Sequence, residues 1–184
     1  MQLVKNMGLL IIAALLINTS FAQEMTVEVG GAAMYPSKNI VENALHSKDH
    51  TTLVAAVKAA GLVETLESAG PFTVFAPTNE AFDKLPKGTV ETLVKPENKA
   101  KLTTILTYHV VAGRLDSKEL ARLIQAGNGT AELTTVQGGK LWVMMKGKKM
   151  VLKDENGGMA TITIKDVYQS NGVIQVIDHV VTPK

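Results

Sequence analysis

Residues 70–82 read GPFTVFAPTNEAF, and this run gives the clearest local structure in the chain. Gly70 and Pro71 form a stop signal for the helical pattern that precedes them. The apolar run Phe72–Ala76 predicts a short buried strand. Thr78 is a good N-cap residue, so we expect a short helix to begin directly after the strand.

The segments on either side of this strand change their hydrophobic period along the chain. Apolar residues recur at helical spacing from Ser37 to about Ser68, and again in segments that begin near Pro96 and at Asp116. From Thr130 onward the period becomes two-fold, with turn glycines between the apolar runs. Helices followed by a β meander are typical of an α+β domain with a largely antiparallel sheet.

Two further segments complete a family pattern. Residues 108–111 read YHVV, and residues 171–183 read NGVIQVIDHVVTP. Together with residues 70–82, and in this order, they resemble the two homology boxes and the central Tyr-His motif of the fasciclin (FAS1, beta-Ig-H3) domain. The resemblance extends from about Ser37 to Pro183, and a lone domain is similar to the single-domain secreted bacterial members.

The resemblance implies an α+β fold. This fold is a wedge of two small, mainly antiparallel β-sheets with a layer of helices from the N-terminal half. In fasciclin domains the first box supplies an early strand and the second box supplies the last strand. We therefore expect Phe72–Ala76 to pair with the distant segment Val173–Val181, which would close the domain end to end.

The first 22 residues have the features of a secretory signal peptide. Lys5 provides a positive charge, an apolar run follows from Met7 to Ile17, and small residues permit cleavage after Ala22. The apolar run is about half the roughly 20 residues that a membrane-spanning helix needs. We therefore expect a secreted or periplasmic protein without a transmembrane segment.

The remaining residues fit one domain. Residues 23–36 contain glycines and a proline without a sustained hydrophobic period, which predicts an N-terminal tail. The fasciclin domain is expected over residues 37–184. The chain has no cysteine, which excludes thiol catalysis and thiolate metal sites, and its net charge of +2 gives no reason to expect nucleic-acid binding.

Tyr108 and His109 are the candidate binding residues. The resemblance implies that this pair lies near the core, where the histidine holds the fold by hydrogen bonding, and that residues around it contribute to ligand binding in some animal members. The apolar neighbours of His109 favour a satisfied interior histidine. Direct contact with a ligand, and catalysis, remain the alternatives for this residue.

Thr78, Asn79 and Asp178 are the expected structural residues of the two boxes, since the family's second box carries an aspartate at the position of Asp178. His179 directly follows Asp178, but adjacent residues of a strand point to opposite faces. On that basis the two side chains are not expected to form an acid–base pair.

Lys146, Lys148 and Lys149 are expected on a β-hairpin, with Lys140 and Lys153 nearby. They form either a solvated edge that resists aggregation or a patch that binds anionic polysaccharide. The single tryptophan, Trp142, is an aromatic candidate for stacking on sugars, although packing against the core is the more common role of such a residue.

The sequence contains no convincing metal or cofactor site. His46 and His50 have i, i+4 spacing but lack the glutamate of the metalloprotease pattern, so we interpret them as solvated surface histidines. Asp154 to Gly158 lacks the distal glutamate of a calcium loop and predicts a polar hairpin. Nucleophile and phosphate-loop motifs are also missing, so neither enzymatic activity nor a cofactor is expected.

These observations predict a secreted or periplasmic, non-catalytic adhesion or binding module. Its partner would be a cell-surface, cell-envelope or matrix protein or polysaccharide of unknown identity. The alternative function is a small-ligand-binding or enzymatic envelope protein that uses the region of His109. Weak self-association through a β-edge is a third possibility.

Overall fold

The computed structural model describes residues 25–184. The helices are α1 (Ile40–Ala44), α2 (Thr51–Ala60), α3 (Val63–Glu67), α4 (Asn79–Asp83), α5 (Thr89–Leu93), α6 (Lys99–Tyr108) and α7 (Ser117–Ala126). The strands are β1 (Val27–Val29), β2 (Ala32–Met34), β3 (Phe72–Pro77), β4 (Val110–Ala112), β5 (Thr130–Thr134), β6 (Lys140–Lys146), β7 (Lys149–Lys153), β8 (Met159–Gln169) and β9 (Gly172–Ile177). The expected signal peptide over residues 1–22 lies outside the described residues.

Residues 27–34 form a hairpin, so the predicted tail over residues 23–36 is wrong for this segment. Gly30 and Gly31 make the turn with φ of 60° and 73°, a conformation that glycine adopts without steric cost. Val29 and Met34 are buried in the core beneath the helices. Each strand has only three residues, which is too short for a visible two-fold period.

Seven strands form one sheet in the order β4-β3-β9-β8-β7-β6-β5. Strand β3 pairs in parallel with β9, from Phe72 opposite Gly172 to Pro77 opposite Ile177. The predicted pairing of the two boxes is therefore confirmed. The other pairings in this sheet are antiparallel, as expected for a mainly antiparallel α+β fold.

The long strand β8 joins the two parts of the sheet. Its first residues, Met159–Thr161, pair with β7, and residues from Ile162 to Gln169 pair with β9. Register shifts on both sides of Ile164 lie within the part of β8 that pairs with β9, and irregularities of this kind bend a strand. The two small sheets of the predicted wedge are thus continuous through β8.

Two apolar clusters fill the domain. One lies among the β1–β2 hairpin, α1, α2, α6, β3 and β9. The other lies between α7 and the inner face of β5 to β8, with Leu120, Leu141 and Leu152 fully buried. Within the described part of the chain, no helix is long and apolar enough to cross a membrane.

Two predicted boundaries shift in the region of the motifs. Tyr108 is the last residue of α6 and His109 is its C-cap, so the strand expected from Tyr108 begins only at Val110. Strand β9 ends at Ile177, so residues 178–181 leave the sheet. Both shifts change which side chains can meet near His109 and Asp178.

Candidate functional site

His109 lies in the interior, and both of its ring nitrogens have partners. It is 2% exposed. Its Nε2 accepts a hydrogen bond from the backbone N–H of Val181 at 3.2 Å, which requires the ring proton to be on Nδ1. Nδ1 therefore donates to the carbonyl of Ile105, one helical turn earlier, at 2.8 Å. Burial lowers the pKa of His109 to about 4, so the ring is neutral at pH 7.

Tyr108 is fully buried next to His109. Its hydroxyl donates to the carbonyl of Lys140 at 2.5 Å and accepts from the N–H of Glu155 at 3.2 Å. Burial raises the pKa of Tyr108 to about 12. The Tyr-His pair thus connects the end of α6 to the start of β6, to the turn after β7 and to the C-terminal segment. Contact with a ligand through these polar groups would require breaking those bonds.

Asp154 also holds the C-terminal segment, which the sequence did not indicate. Its Oδ1 accepts from the N–H groups of Asn156 at 3.0 Å and Gly158 at 2.6 Å. Its Oδ2 accepts from the N–H of Thr182 at 2.9 Å. The predicted polar hairpin is present. The buried carboxylate of Asp154 accepts hydrogen bonds from backbone N–H groups and is not open to a cation.

Thr78 and Asn79 organise the start of α4. Thr78 is its N-cap, and its Oγ1 accepts from the N–H of Ala81 at 3.3 Å. Asn79 accepts from the N–H of Thr52 at 3.0 Å and donates to the carbonyl of Lys48 at 2.8 Å. These bonds join the first box to the start of α2, as expected of residues that stabilise the fold.

Asp178 and His179 contact each other, so the prediction that they cannot pair is wrong. Nδ1 of His179 lies 2.9 Å from Oδ1 of Asp178. Because β9 ends at Ile177, the strand alternation behind the prediction does not apply to these residues. Oδ1 of Asp178 also accepts from the N–H of Thr161 at 2.6 Å. Partial burial opposes ionisation of Asp178, but the bonds from His179 and Thr161 leave its pKa below the usual value.

His50 is buried at 2% exposure, so its interpretation as a surface histidine is wrong. It is the last residue of a short 3-10 turn, Lys48–His50, and is the buried residue of that turn. His46 is exposed, and its Nδ1 lies 2.8 Å from the carbonyl of Glu42. Among residues 25–184, no group of three acidic or histidine side chains is arranged to hold a metal ion.

The predicted lysine patch lies at the end of the β6–β7 hairpin. Lys146 and Lys149 are directly opposite each other in register, and Lys148 is in the turn between the strands. All three are exposed, and in the described part of the chain none has an acidic partner within ion-pair distance. Lys140 differs, because it pairs with Glu132 at 3.2 Å.

Trp142 is half-buried on the outer face of the sheet rather than in the core. Side chains alternate along a strand, so Trp142 shares this face with Lys146. Lys153 lies directly opposite Trp142, as Lys149 lies opposite Lys146. We name this surface the basic face, formed by Trp142, Lys146, Lys148, Lys149 and Lys153. The sequence indicated the lysines but not the position of Trp142 among them.

Comparison with known proteins identifies the family. The family model for the fasciclin domain matches residues 48–183. The chain belongs to the fasciclin domain family. Fasciclin domains are cell-adhesion and binding modules, and members of the family are generally non-enzymatic.

Several fasciclin relatives are similar over most of this chain. It is 47% identical to protein sll1483 of Synechocystis, covering 87% of this chain and 82% of that protein. It is 38% identical to transforming growth factor-beta-induced protein ig-h3 of Sus scrofa, covering 71% of this chain but only 17% of that longer protein. The immunogenic protein MPB70 of Mycobacterium bovis is 37% identical, with coverage of 76% of this chain and 66% of that protein.

A solved structure confirms the fold. The FAS1 domain pair of the insect cell adhesion molecule fasciclin I superposes with a TM-score of 0.71 at 17% sequence identity. The match covers 87% of this chain and 58% of that one. At this identity the likeness establishes the fasciclin fold, and the function has to be argued from the residues of this chain.

Proposed function

We propose that this fasciclin protein is a secreted or periplasmic, non-catalytic module that binds an anionic polysaccharide of the cell envelope or matrix through the basic face. The proposal combines the adhesion role of the family with the sequence features of a signal peptide over residues 1–22. The observation that carries it is the placement of Trp142 on one sheet surface with Lys146, Lys149 and Lys153. Glu132 of β5 lies opposite Trp142 on its other side and accepts a hydrogen bond from the indole N–H at 3.3 Å.

The chemistry of the basic face matches a sugar polymer with acidic groups. Trp142 is half-buried, and the accessible part of an aromatic ring offers an apolar surface for a sugar ring and is often found at binding surfaces. Lysine ammonium groups on flexible stems can each reach a carboxylate or sulfate. Trp142 and Lys153 lie in one cross-strand row and Lys146 and Lys149 in another, so an extended polymer crossing β6 and β7 would meet both kinds of group.

The two lysines at the hairpin end repel each other, and a bound anion would offset this repulsion. Like charges directly opposite in a strand pair are destabilising. Lys146 and Lys149 are such a pair, and Lys148 adds a third positive charge in the connecting turn. A bound anionic group would turn this repulsion into attraction to all three side chains.

The interior supports the non-catalytic part of the proposal. Both ring nitrogens of His109 and the hydroxyl of Tyr108 are bonded within the domain. The polar atoms of these two buried residues therefore serve the fold instead of facing a substrate, and an enzyme that uses the polar atoms of His109 is not favoured. The contact between Asp178 and His179 is partly exposed to solvent and is tied to the backbone of Thr161.

Titration with two matched polymers tests this proposal. Dextran sulfate should bind saturably and lose affinity with added salt, because exposed charges are screened, whereas neutral dextran should bind far more weakly. The triple variant Lys146→Glu, Lys148→Glu, Lys149→Glu should reduce the affinity by about tenfold or more, since each lysine near an anionic surface contributes on the order of 1 kcal/mol.

The control carries the same change in charge on a different surface. Lys95, Lys99 and Lys101 are exposed near the start of α6, so replacing all three by Glu should leave the affinity close to that of the wild type. Equal losses in both triple variants would mean that only net charge matters and would contradict a site on the basic face. Intact-mass analysis of exported protein should show a chain that begins at Gln23.

A further inference from the structure

Glu132 is an acidic residue at the border of the basic face. Along β5 the buried residues Ala131 and Leu133 point into the core, so Glu132 points to the outer face of the sheet. There it lies directly opposite Trp142 of β6. A carboxylate in this position repels any anionic group beside it, so Glu132 influences which part of a polymer can lie next to the ring.

The carboxylate of Glu132 holds the indole ring of Trp142. Its Oε2 accepts a hydrogen bond from the indole Nε1–H at 3.3 Å, and this N–H group is the one polar group of the indole. The bond turns the N–H edge of the ring toward β5. Because the N–H group is already bonded, the ring offers a ligand apolar surface only.

Glu132 is itself fixed by Lys140. Nζ of Lys140 lies 3.2 Å from Oε1 of Glu132 and donates to Oγ1 of Thr134 at 2.8 Å. One carboxylate oxygen of Glu132 therefore contacts the lysine while the other contacts the indole. The side chains of Lys140 and Glu132 are 41% and 54% exposed, and exposed ion pairs contribute little to stability. The arrangement thus orients side chains more than it stabilises the fold.

The two sides of Trp142 carry opposite charges. Glu132 lies on the β5 side of the ring and Lys153 lies on the β7 side. An acidic sugar stacked on Trp142 would be attracted by Lys153 and repelled by Glu132, so its charged group would turn toward β7. Lys149 is also on β7 and on the same face of the sheet, which continues the positive side in the direction of the hairpin end.

We propose that Glu132 is a positioning and selectivity residue of the basic face, which fixes the orientation of Trp142 and directs the acidic groups of a bound polysaccharide toward Lys153 and Lys149. This inference rests on the proposed function, because it concerns the same surface and the same class of ligand. Glu132 lowers the affinity for polyanions in general and favours polymers that carry their acidic groups on one edge of the chain.

The contact between Glu132 and Trp142 can be tested without any ligand. The chain has one tryptophan, so its indole N–H gives a single NMR signal. In the wild type this proton should exchange with solvent more slowly than in Glu132→Ala, because the hydrogen bond protects it. Glu132→Gln keeps an acceptor oxygen and should restore most of the protection. Glu67→Ala removes an exposed carboxylate from α3 and should match the wild type.

Titration with dextran sulfate separates the charge of Glu132 from its hydrogen bond. Glu132→Gln should bind about two- to fivefold more tightly than the wild type, as expected for one exposed charge interaction. Glu132→Ala lacks the same charge and also the acceptor for the indole, so it should bind at least about twofold more weakly than Glu132→Gln. In a Trp142→Phe background, which has no indole N–H, this difference should vanish.

A second pair of variants tests the direction of the ligand. Lys153→Gln should lower the affinity for dextran sulfate more in the wild type than in Glu132→Gln. Without the carboxylate, acidic groups can also lie on the β5 side, where Lys140 is then free to bind them. Lys118 is an exposed lysine of α7, which packs on the inner face of the sheet. Lys118→Gln is therefore the control and should change the affinity little in either background.

Four results would overturn the proposal. Equal exchange of the indole proton in the wild type and Glu132→Ala would show that the contact is not made in solution. Equal affinities of Glu132→Gln and Glu132→Ala, or the same loss from Lys153→Gln in both backgrounds, would show that Glu132 does not act on the ligand as stated. Absence of dextran sulfate binding by the wild type would overturn the proposed function and with it the selectivity of Glu132, even where indole exchange confirms the contact itself.

Discussion

Nε2 of His109 accepts a hydrogen bond from the backbone N–H of Val181, 72 residues further along the chain, at 3.2 Å. This bond ties the Tyr-His motif at the end of α6 to the segment that follows β9. Asp154 holds the next residue, Thr182, at 2.9 Å. The C-terminal segment is therefore fixed by two buried polar side chains from different parts of the domain.

Removal of the His109 ring should destabilise the domain. His109→Ala leaves the N–H of Val181 and the carbonyl of Ile105 without their partner and opens a space in the interior. An unsatisfied buried group costs about 1–3 kcal/mol, so the melting temperature should fall by several degrees for a domain of this size. Thermal unfolding followed by circular dichroism measures this, with the exposed His46→Ala as control. An unchanged melting temperature combined with lost binding would show that His109 is a ligand residue.

The stability of the domain should decrease as the pH falls from about 6.5 to 4. The pKa of His109 is about 4 in the folded domain, against 6.5 for an unperturbed histidine. The unfolded state therefore takes up a proton first as the pH falls, which favours unfolding across this window. The full effect is on the order of 3 kcal/mol.

Urea unfolding at pH 7 and pH 4.5 measures this pH dependence. His109→Ala should show a smaller loss of stability between the two pH values than the wild type, since the remaining groups are common to both proteins. If the variant and the wild type lose the same free energy of unfolding, His109 is not the source of the dependence.

Asp154→Ala should loosen the C-terminal segment. Its carboxylate accepts backbone hydrogen bonds from Asn156, Gly158 and Thr182, and bonds to a charged acceptor contribute about 1.5–3 kcal/mol each. The amide of Thr182 should exchange with solvent faster, as hydrogen exchange would reveal. Glu155→Gln is the adjacent control and should have a smaller effect. Unchanged protection of Thr182 in Asp154→Ala would contradict this anchoring role.

Gly172→Ala should be strongly destabilising because the two boxes approach closely there. A Cβ on Gly172 would lie 2.1 Å from the carbonyl oxygen of Phe72 on the paired strand. Gly147 has φ of 63° but open space around it, so Gly147→Ala should cost only the strain of that conformation, about 1–2 kcal/mol. Equal losses in the two variants, measured by urea unfolding, would show that close packing of the boxes is not the reason for the glycine.

The sequence alone predicted those parts of the fold whose signal lies in neighbouring residues. The apolar run from Phe72, the N-cap Thr78, the helix that begins at Asp116 and the glycine turns each appear in the structure near their predicted positions. The pairing of β3 with β9 came from the family resemblance, since hydrophobic periodicity alone does not identify the partner of a strand.

The features that were missed depend on packing between distant segments. The β1–β2 hairpin is too short to show a period, and Val29 and Met34 are buried in a cluster with residues of distant segments, including α2, β3 and β9. The sequence predicts His50 as a surface histidine, but it is the buried residue of a 3-10 turn whose other two residues are exposed. The inference from strand alternation at Asp178 and His179 failed because β9 ends one residue earlier.

The most direct test of the proposed binding function uses the protein on a solid support and the envelope fraction of its source cells, with capture measured at increasing salt. We predict saturable capture of an acidic polysaccharide that decreases with salt and is lost in the Lys146→Glu, Lys148→Glu, Lys149→Glu variant but retained in the Lys95→Glu, Lys99→Glu, Lys101→Glu control. Capture of no polysaccharide at any salt concentration, or equal capture by both triple variants, would contradict the assignment of binding to the basic face.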